Sequence, residues 1–495
     1  MNQKLDRRSF LKTTLISTTS LSLFPALAAE TGAKVTAQAS ATTRVIGANS
    51  EIRYAVVGFN GRGRSHLEDL SRIKGTRLVA LCDVDRKVLD RELDKCKTNG
   101  AQVEGYTDVR KLLENKDIDV VTFATPNHWH SLGSIWAVQA GKDVYVEKPV
   151  SHNVWEGRQL VKAARKYNRI VQAGTQSRSS SGIAEAIAWV REGHIGKILR
   201  SRGLCYKRRP SIGKVAGPQP VPPSIDYDLW CGPAPKEPLM RQRLHYDWHW
   251  VWPTGNGDLG NQGIHEMDVA RWVLGVDELS PRVLSIGGRL GYEDDGTTPN
   301  TLIVFHDYKP APLVYEGRGL PASHGSGKMD EYHGAGIGIV TDCEGGSMVI
   351  PSYNSATIHD KDGKEIKTFR GSSSHVANFI NAVRSRKHTE LKADILEGHL
   401  SSALCHTANV SYRLGQTHSP EEIREAIKNN SELSEMLGRM EEHLAANQVD
   451  LHKSPATLGQ VLNMDPKTER FLDNAEANRM LTREYRAPFV VPEEV

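Results

Sequence analysis

Short apolar runs alternating with segments of helical period constrain this chain more than any other feature. Tyr54-Ala55-Val56-Val57, Leu78-Val79-Ala80-Leu81, Val120-Val121-Thr122-Phe123 and Val144-Tyr145-Val146 are short enough to be buried strands, and helical patterns lie between them. Such alternation predicts an α/β protein with a doubly wound parallel sheet over 51–175. After about Thr175 the character changes to a helix near 183–192, a strand near 198–206 and a Pro- and Gly-rich tract over 210–238. Strand-like stretches at Arg282–Gly288, Thr301–Phe305 and Ser347–Ile350 suit a mixed or antiparallel sheet, and helical patterns return near 375–386 and 394–413. These make a second α/β domain over 176–430. Residues 431–495 contain a helical piece and an extended Phe489-Val490-Val491-Pro492, and read as an appended C-terminal extension.

Net charge matters here for its position. The 63 basic and 59 acidic side chains leave +4, of which Lys4, Arg7, Arg8 and Lys12 against Asp6 supply +3 within residues 1–28. The remainder is nearly neutral and offers nucleic acid no footprint. Arg7-Arg8-Ser9-Phe10-Leu11-Lys12, a Ser/Thr-diluted apolar stretch from Thr13 to Leu27 and the small-x-small end Ala26-Leu27-Ala28 read as a cleaved export signal that resembles the twin-arginine class, with Asp6 where Ser or Thr is usual; the alternative is a short N-terminal membrane anchor, for which the run is short and polar. Residues 29–50 read as a linker, and no later segment is long and apolar enough to span a bilayer. Twin-arginine export delivers folded proteins, so it predicts a periplasmic or extracellular enzyme with a cofactor inserted beforehand. Six scattered cysteines without a C-x-x-C pair read as packed thiols.

The first strand runs into Gly58-Phe59-Asn60-Gly61-Arg62-Gly63 and a helix from Ser65. Glycines there let the backbone approach a pyrophosphate while the helix N-terminus supplies N–H groups; Asn60 replaces the middle glycine of G-x-G-x-x-G and narrows the approach. Asp83 lies 25 residues after Gly58, where a carboxylate grips the adenosine ribose; it favours NAD, and nearby Arg86 leaves NADP open.

Ala124-Thr125-Pro126-Asn127-His128-Trp129-His130 closes one strand and Tyr145-Val146-Glu147-Lys148-Pro149 the next. With the glycine turn they resemble the glucose-fructose oxidoreductase/inositol dehydrogenase/MocA (Gfo/Idh/MocA) family of NAD(P)-dependent enzymes, over most of residues 51 to about 415. The resemblance implies a Rossmann domain followed by an α/β domain whose large open sheet forms substrate walls and subunit contacts, hence a homodimer or tetramer. It implies a nicotinamide site built from Gly58, Asn60, Gly61, Arg62, Gly63, Asp83, Thr125, Asn127, His130, Glu147, Lys148 and Gln176, with a cis bond before Pro149 and Lys148 facing the reacting carbons. Oxidising a carbinol sends a hydride to the nicotinamide and a proton to a base, and an ammonium beside a cationic ring has a lowered pKa.

The family places an Asp four residues before an active-site His. In Gly257-Asp258-Leu259-Gly260-Asn261-Gln262-Gly263-Ile264-His265 the histidine matches, but Asn261 stands where the Asp would be. An amide orients a hydroxyl without accepting its proton, so proton transfer shifts to Lys148 and His265, with Asp258 as a substitute carboxylate. Asp268 reads as structural, pairing locally with Arg271 or a backbone N–H. Upstream, His245-Tyr246-Asp247-Trp248-His249-Trp250-Val251-Trp252, if extended, sets Tyr246, Trp248, Trp250 and Trp252 on one face and His245, Asp247 and His249 on the other. That reads equally as a sugar platform (Trp248, His249, Trp250) or as an aromatic core. The i, i+4 pair His245 and His249 lacks H-E-x-x-H, and no metal site is expected. Tyr206 and the basic Lys207-Arg208-Arg209, with Arg208 foremost, are a solvated loop or a subsite for an acidic sugar.

These observations predict an exported oxidoreductase acting on a CH–OH group of a sugar, cyclitol or glycoside. Outside the cytoplasm no pool of nicotinamide reoxidises a released cofactor, so the cofactor stays bound and is recycled. Two alternatives remain: a redox-neutral NAD-dependent glycosidase or lyase, against which Lys148 weighs, and a sugar-binding protein that has lost its chemistry.

Overall fold

The computed structural model describes residues 50–495. The leader over 1–28, and all of the 29–50 linker but its last residue, lie outside the described residues.

Six parallel strands form the first sheet: β1 (Ile52–Val57), β2 (Thr76–Cys82), β3 (Glu104–Tyr106), β4 (Val120–Phe123), β5 (Asp143–Val146) and β6 (Val171–Ala173), in the order β3-β2-β1-β4-β5-β6. The chain reverses between β1 and β4, and in a sheet of this kind a ligand crevice opens there, at the carboxyl ends of the strands. The connecting helices are α1 (Gly63–Ser71), α2 (Arg86–Thr98), α3 (Val109–Glu114), α4 (Asn127–Gln139) and α5 (Val154–Lys166). Asp85, Asp108 and Asn153 cap α2, α3 and α5 through their side chains.

Next come α6 (Ser181–Arg191), β7 (Ile198–Tyr206), the short α7 (Tyr227–Cys231) and α8 (Ile264–Leu274). They are followed by β8 (Arg282–Gly288), β9 (Thr301–His306), β10 (Leu313–Arg318), β11 (Ile337–Cys343), β12 (Gly346–Ile350), β13 (Ser355–Asp360) and β14 (Glu365–Arg370). These strands form one mixed sheet ordered β14-β13-β12-β11-β7-β10-β9-β8, antiparallel except for the parallel pair β7/β10, and lengthened at the β8 edge by short strands of the C-terminal tail. Its inner face packs on α6, α8 and α10 (Ile395–Arg413) through Ile187, Met267, Val304 and Leu404.

Two segments depart from the predicted boundaries. Helix α9 (His375–Ser385) follows the second sheet in sequence yet packs on the first domain, burying Phe379 and Ile380 against Ile52, Tyr54 and Val56. Residues from 431 on are not appended: α12 (Ser431–Ala446), together with α11 (Pro420–Ile427) just before it, covers the outer face of β8 to β10, with Met436, Leu437 and Met440 against Ile286, Ile303 and Val314. The chain end then returns to the first domain, where Phe489 lies edge-on to Trp129 at 5.6 Å and Val491 joins the same core. Apolar burial of these side chains, at roughly 1.5–3 kcal/mol each, holds the domains as one body.

Among the described residues all six cysteines are free and five are buried. No described helix is long and apolar enough to cross a membrane, and no described group of three His, Cys, Asp or Glu is arranged to hold a metal.

Candidate active site

A cleft of about 680 Å³ opens at the carboxyl ends of β1, β2, β4 and β5, where the topology places it. Its floor is the glycine turn. Gly58 sits at φ +75°, and a Cβ there would meet the Ala124 carbonyl oxygen and the Thr125 amide nitrogen at 3.0 Å. Gly63 lets helix and strand touch, since a Cβ would lie 2.1 Å from the Gly58 carbonyl oxygen, whereas nothing lies within 4 Å of a Cβ at Gly61, which lines the cleft. Buried Asp83 accepts from the amides of Phe59 (3.2 Å) and Asp85 (3.0 Å); burial pushes its carboxyl up in pKa.

Around the strand ends the polar groups hold one another. Glu147 Oε1 accepts from Arg62 Nε (2.9 Å) and Gln176 Nε2 (3.3 Å) and lies 3.0 Å from His66 Nε2. Burial alone would raise the Glu147 carboxyl, yet His66, Arg62 and Lys148 hold it well below the carboxylate range. The His130 ring nitrogens reach the carbonyls of Pro149 (2.6 Å) and Thr125 (2.8 Å), so this side chain ties the ends of β4 and β5 together. Asn127 donates to Asn256 Oδ1 at 2.9 Å. Thr125 Oγ1 and Glu147 Oε2 are buried with no protein partner.

Lys148, followed by a cis bond to Pro149, donates from Nζ to the Asn261 main-chain carbonyl at 2.7 Å. Burial lowers its pKa against the pull of Glu147. The carbonyl is presented by a π-helical turn, Leu259–Gly263, that leads into α8. Such turns project main-chain groups that a regular helix would pair. His265, the second residue of α8, lines the cleft with Nδ1 unpartnered. Burial and the Lys148 charge push its pKa down to about 3, so the imidazole is neutral at ordinary pH. Tyr353 stands edge-on to this ring at 5.5 Å, and its hydroxyl accepts from Gln262 Nε2 at 3.0 Å.

Several predicted site residues sit elsewhere. Asp258 does not line the cleft: both its oxygens are taken by Arg209, at 2.9 and 2.7 Å, so it positions the π-turn and is no spare proton acceptor. The Asn261 amide turns away to Asp258 (3.3 Å), and what it offers Lys148 is main-chain oxygen. Tyr206 points to the outer side of the sheet, donating to buried Glu316 at 2.9 Å, and Arg208 is exposed outside the cleft. Asp268 pairs with Arg178 (2.9 Å) and Ser401 (2.6 Å); Arg271 goes instead to Glu397.

The aromatic octet is not extended. Tyr246 at φ +68° turns the chain into a 3-10 turn, Asp247–Trp250, which abolishes the alternation of faces. His245, Tyr246, Trp248 and His249 therefore all line the cleft, with Trp248 and His249 stacked at 3.5 Å, whereas Trp250 is buried under the Arg209 guanidinium at 5.3 Å. Tyr353 was missed by sequence reasoning because a tyrosine in a Pro-Ser-Tyr-Asn turn carries no chemical signature. Its 48% exposure marks it only once the fold is known.

Residues 52–175 match the NAD-binding Rossmann fold of the Gfo/Idh/MocA oxidoreductase family, and residues 194–317 match that family's C-terminal α/β domain. The chain belongs to the Gfo/Idh/MocA family. Among solved structures it resembles the WlbA dehydrogenase from Bordetella pertussis, crystallised with NADH and UDP-GlcNAcA, with a TM-score of 0.53, 19% identity, and coverage of 72% of this chain and 94% of that one. A putative oxidoreductase from Thermotoga maritima gives a TM-score of 0.55 at 16% identity over 73% and 97%. Identities this low show the fold alone. A curated relative from Shewanella pealeana, a glycosyl hydrolase family 109 protein, is 30% identical over 204 residues, which cover 40% of this chain and 45% of the relative. A glycosyl hydrolase family 109 protein 2 from Shewanella sp. strain ANA-3 is 31% identical over 33% and 38%. The chain thus spans less than half the length of these curated relatives.

The cleft fits the family's nicotinamide cofactor on its own geometry. The open face at Gly61 and the start of α1 suit a pyrophosphate, the Asp83 carboxylate a ribose, and the unpartnered Thr125 Oγ1 a further polar contact. Gly61→Ala is expected to leave the melting temperature within about 2 °C of wild type while weakening NAD binding at least about tenfold. Gly63→Ala is expected to lower the melting temperature itself, because its Cβ meets main chain. Differential scanning calorimetry and NAD titration of both variants check the pair of outcomes.

Proposed function

We propose that this protein oxidises a CH–OH group of a sugar, cyclitol or glycoside with a tightly held NAD, or NADP, that is recycled within the turnover. The observation that carries the reading is the convergence of Lys148 and His265 on one cleft with the glycine turn and an aromatic wall of Tyr246, Trp248 and His249. When bound, the nicotinamide supplies the hydride acceptor. The chain's own residues do the rest. Lys148, eased towards its neutral form by burial and oriented by the Asn261 carbonyl, takes the hydroxyl proton. His265 holds the same hydroxyl as a neutral imidazole, and Tyr353 fixes the imidazole plane. The aromatic wall covers the C–H face of a ring and excludes water.

A lysine acts as base only when neutral, so kcat/KM rises as pH passes up through the lowered pKa of Lys148 and falls below it. His265, at about 3, adds no limb between pH 5 and 8. A pH profile in which His265→Gln keeps the wild-type limb is the expected result; loss of that limb in His265→Gln would reassign the base.

The glycosyl hydrolase names of the curated relatives favour a second reading, redox-neutral cleavage through transient oxidation. The protein is incubated with a panel of glycosides and free sugars while absorbance at the reduced-nicotinamide band is followed. Net oxidation of a sugar by a second carbonyl acceptor supports the oxidoreductase. Free sugar released without net reduction supports the hydrolase, and protein from a native host lacking bound nicotinamide counts against both. The arginine pair Arg7-Arg8 supports export of the loaded enzyme, and fractionation with and without Arg7→Lys/Arg8→Lys tests it. Self-association as a dimer or tetramer is part of the same proposal and is read by light scattering.

A further inference from the structure

A second cavity, of about 340 Å³, shares a wall with the cleft. Asn256 forms part of that wall: its Oδ1 accepts from Asn127 of the cleft, its Nδ2 donates to the His152 carbonyl (3.0 Å), and its own carbonyl accepts from Asn409 Nδ2 (3.0 Å). Three arginines line the cavity, Arg413 at the end of α10 and Arg479 and Arg483 from the tail. None of the three has an ion-pair partner within 4 Å among the described residues. Arg413 lies over the Trp252 ring at 5.0 Å, and Arg483 donates from Nη2 to the Pro253 carbonyl at 2.6 Å while its Nη1 is buried without a partner. Arg483 also depresses the pKa of Arg413 after burial does, which places the two cations within each other's field.

The lining carries more positive than negative charge. Glu484 is the one carboxylate there, and it is exposed. Glu156, behind the wall, accepts from the His152 amide, Asn153 and Tyr485, and its charge offsets part of that of Arg483, leaving Arg413 and Arg479 without a carboxylate of their own. Further polar groups line the same space: His406 is 4% exposed, lies 3.1 Å from Ser151 Oγ through Nε2 and has no partner for Nδ1, and the Thr482 hydroxyl is beside it in the lining. Guanidinium groups that outnumber the carboxylates around one small concave space repel one another, and a tetrahedral oxyanion relieves that repulsion with charge-assisted hydrogen bonds.

We propose that this cavity is an oxyanion site, distinct from the cofactor cleft, that takes a phosphate or sulfate group and clips the C-terminal tail onto α10. The volume exceeds that of the bare ion, so the group arrives either free or as an ester on a sugar.

Calorimetric titration of the full chain, loaded with NAD, uses three probes at equal ionic strength: sodium sulfate, inorganic phosphate and a hexose 6-sulfate, against sodium chloride. Saturable binding of sulfate or phosphate with a rise in melting temperature, absent with chloride, is expected. Tighter binding of the hexose sulfate identifies the ester as the ligand, and equal or weaker binding identifies the free ion; both uphold the site. Arg413→Gln and Arg479→Gln, both at exposed positions, are each expected to weaken binding about tenfold and together to abolish it, with NAD affinity unchanged. Binding that survives in the double variant, or stabilisation matched by chloride, would each overturn the proposal.

Discussion

Lys148→Ala is expected to lower kcat/KM by about 10³-fold, within the range of roughly 10²–10⁴ that a positioned general base supplies, while leaving bound nicotinamide near the wild-type level. Lys148 is the amine in the cleft, its Nζ is fixed at 2.7 Å from the Asn261 carbonyl, and burial moves its pKa towards the working range of a base. His265, its pKa pushed down to about 3 by burial and the Lys148 charge, is too weak a base, and the carboxylates Glu147 and Asp258 are paired, so no equivalent acceptor takes over. Lys148→Arg keeps the charge and the hydrogen bond but not a titratable nitrogen, so it is expected to restore KM without restoring kcat. Steady-state kinetics on the first substrate found in the glycoside and sugar panel, with nicotinamide content measured on the same samples, checks both variants. A loss in kcat/KM below about tenfold with the cofactor in place would remove Lys148 from the chemistry.

What was legible in the sequence was what is local. Gly58, Gly63, Asp83 and Lys148 are tied to the ends of single strands, and the strand-turn-helix pattern fixes their place before any packing is known. His265 follows the same logic at the start of α8. Groups whose role depends on a partner far along the chain were not legible. Asp258 looks available in sequence because Arg209, which occupies it, lies 49 residues away. The aromatic octet alternates as a strand would, and only the left-handed backbone at Tyr246 turns it into a wall of the cleft. Helix α9 and the chain end read as parts of a second domain and a tail because hydrophobic periodicity shows that a face is buried without showing against what. The packing of Phe379 and Phe489 on the first domain is a tertiary fact.

Arg209→Met is expected to cost about 3–5 kcal/mol of folding stability and to impair catalysis as well, although Arg209 does not line the cleft. Its guanidinium binds both oxygens of Asp258, donates to the Tyr246 hydroxyl at 2.9 Å and lies over the Trp250 ring, so one buried group joins the aromatic wall to the π-turn that holds the Lys148 partner. Removing it strands a buried carboxylate, and that desolvated charge, more than the lost contacts, sets the size of the effect. Asp258→Asn alone strands the guanidinium instead. The double variant Arg209→Met/Asp258→Asn strands neither charge and is therefore expected to lose less than the sum of the two, by roughly 2–3 kcal/mol. Denaturant midpoints for the four proteins of the cycle give that coupling directly. Catalysis separates the two roles: if the pair only stabilises the fold, the double variant regains kcat along with stability, whereas a positioning role leaves kcat low because Tyr246 and the Asn261 carbonyl are no longer held. Additive losses in stability would mean that the pair is not coupled and that the charge of Asp258 is met by solvent.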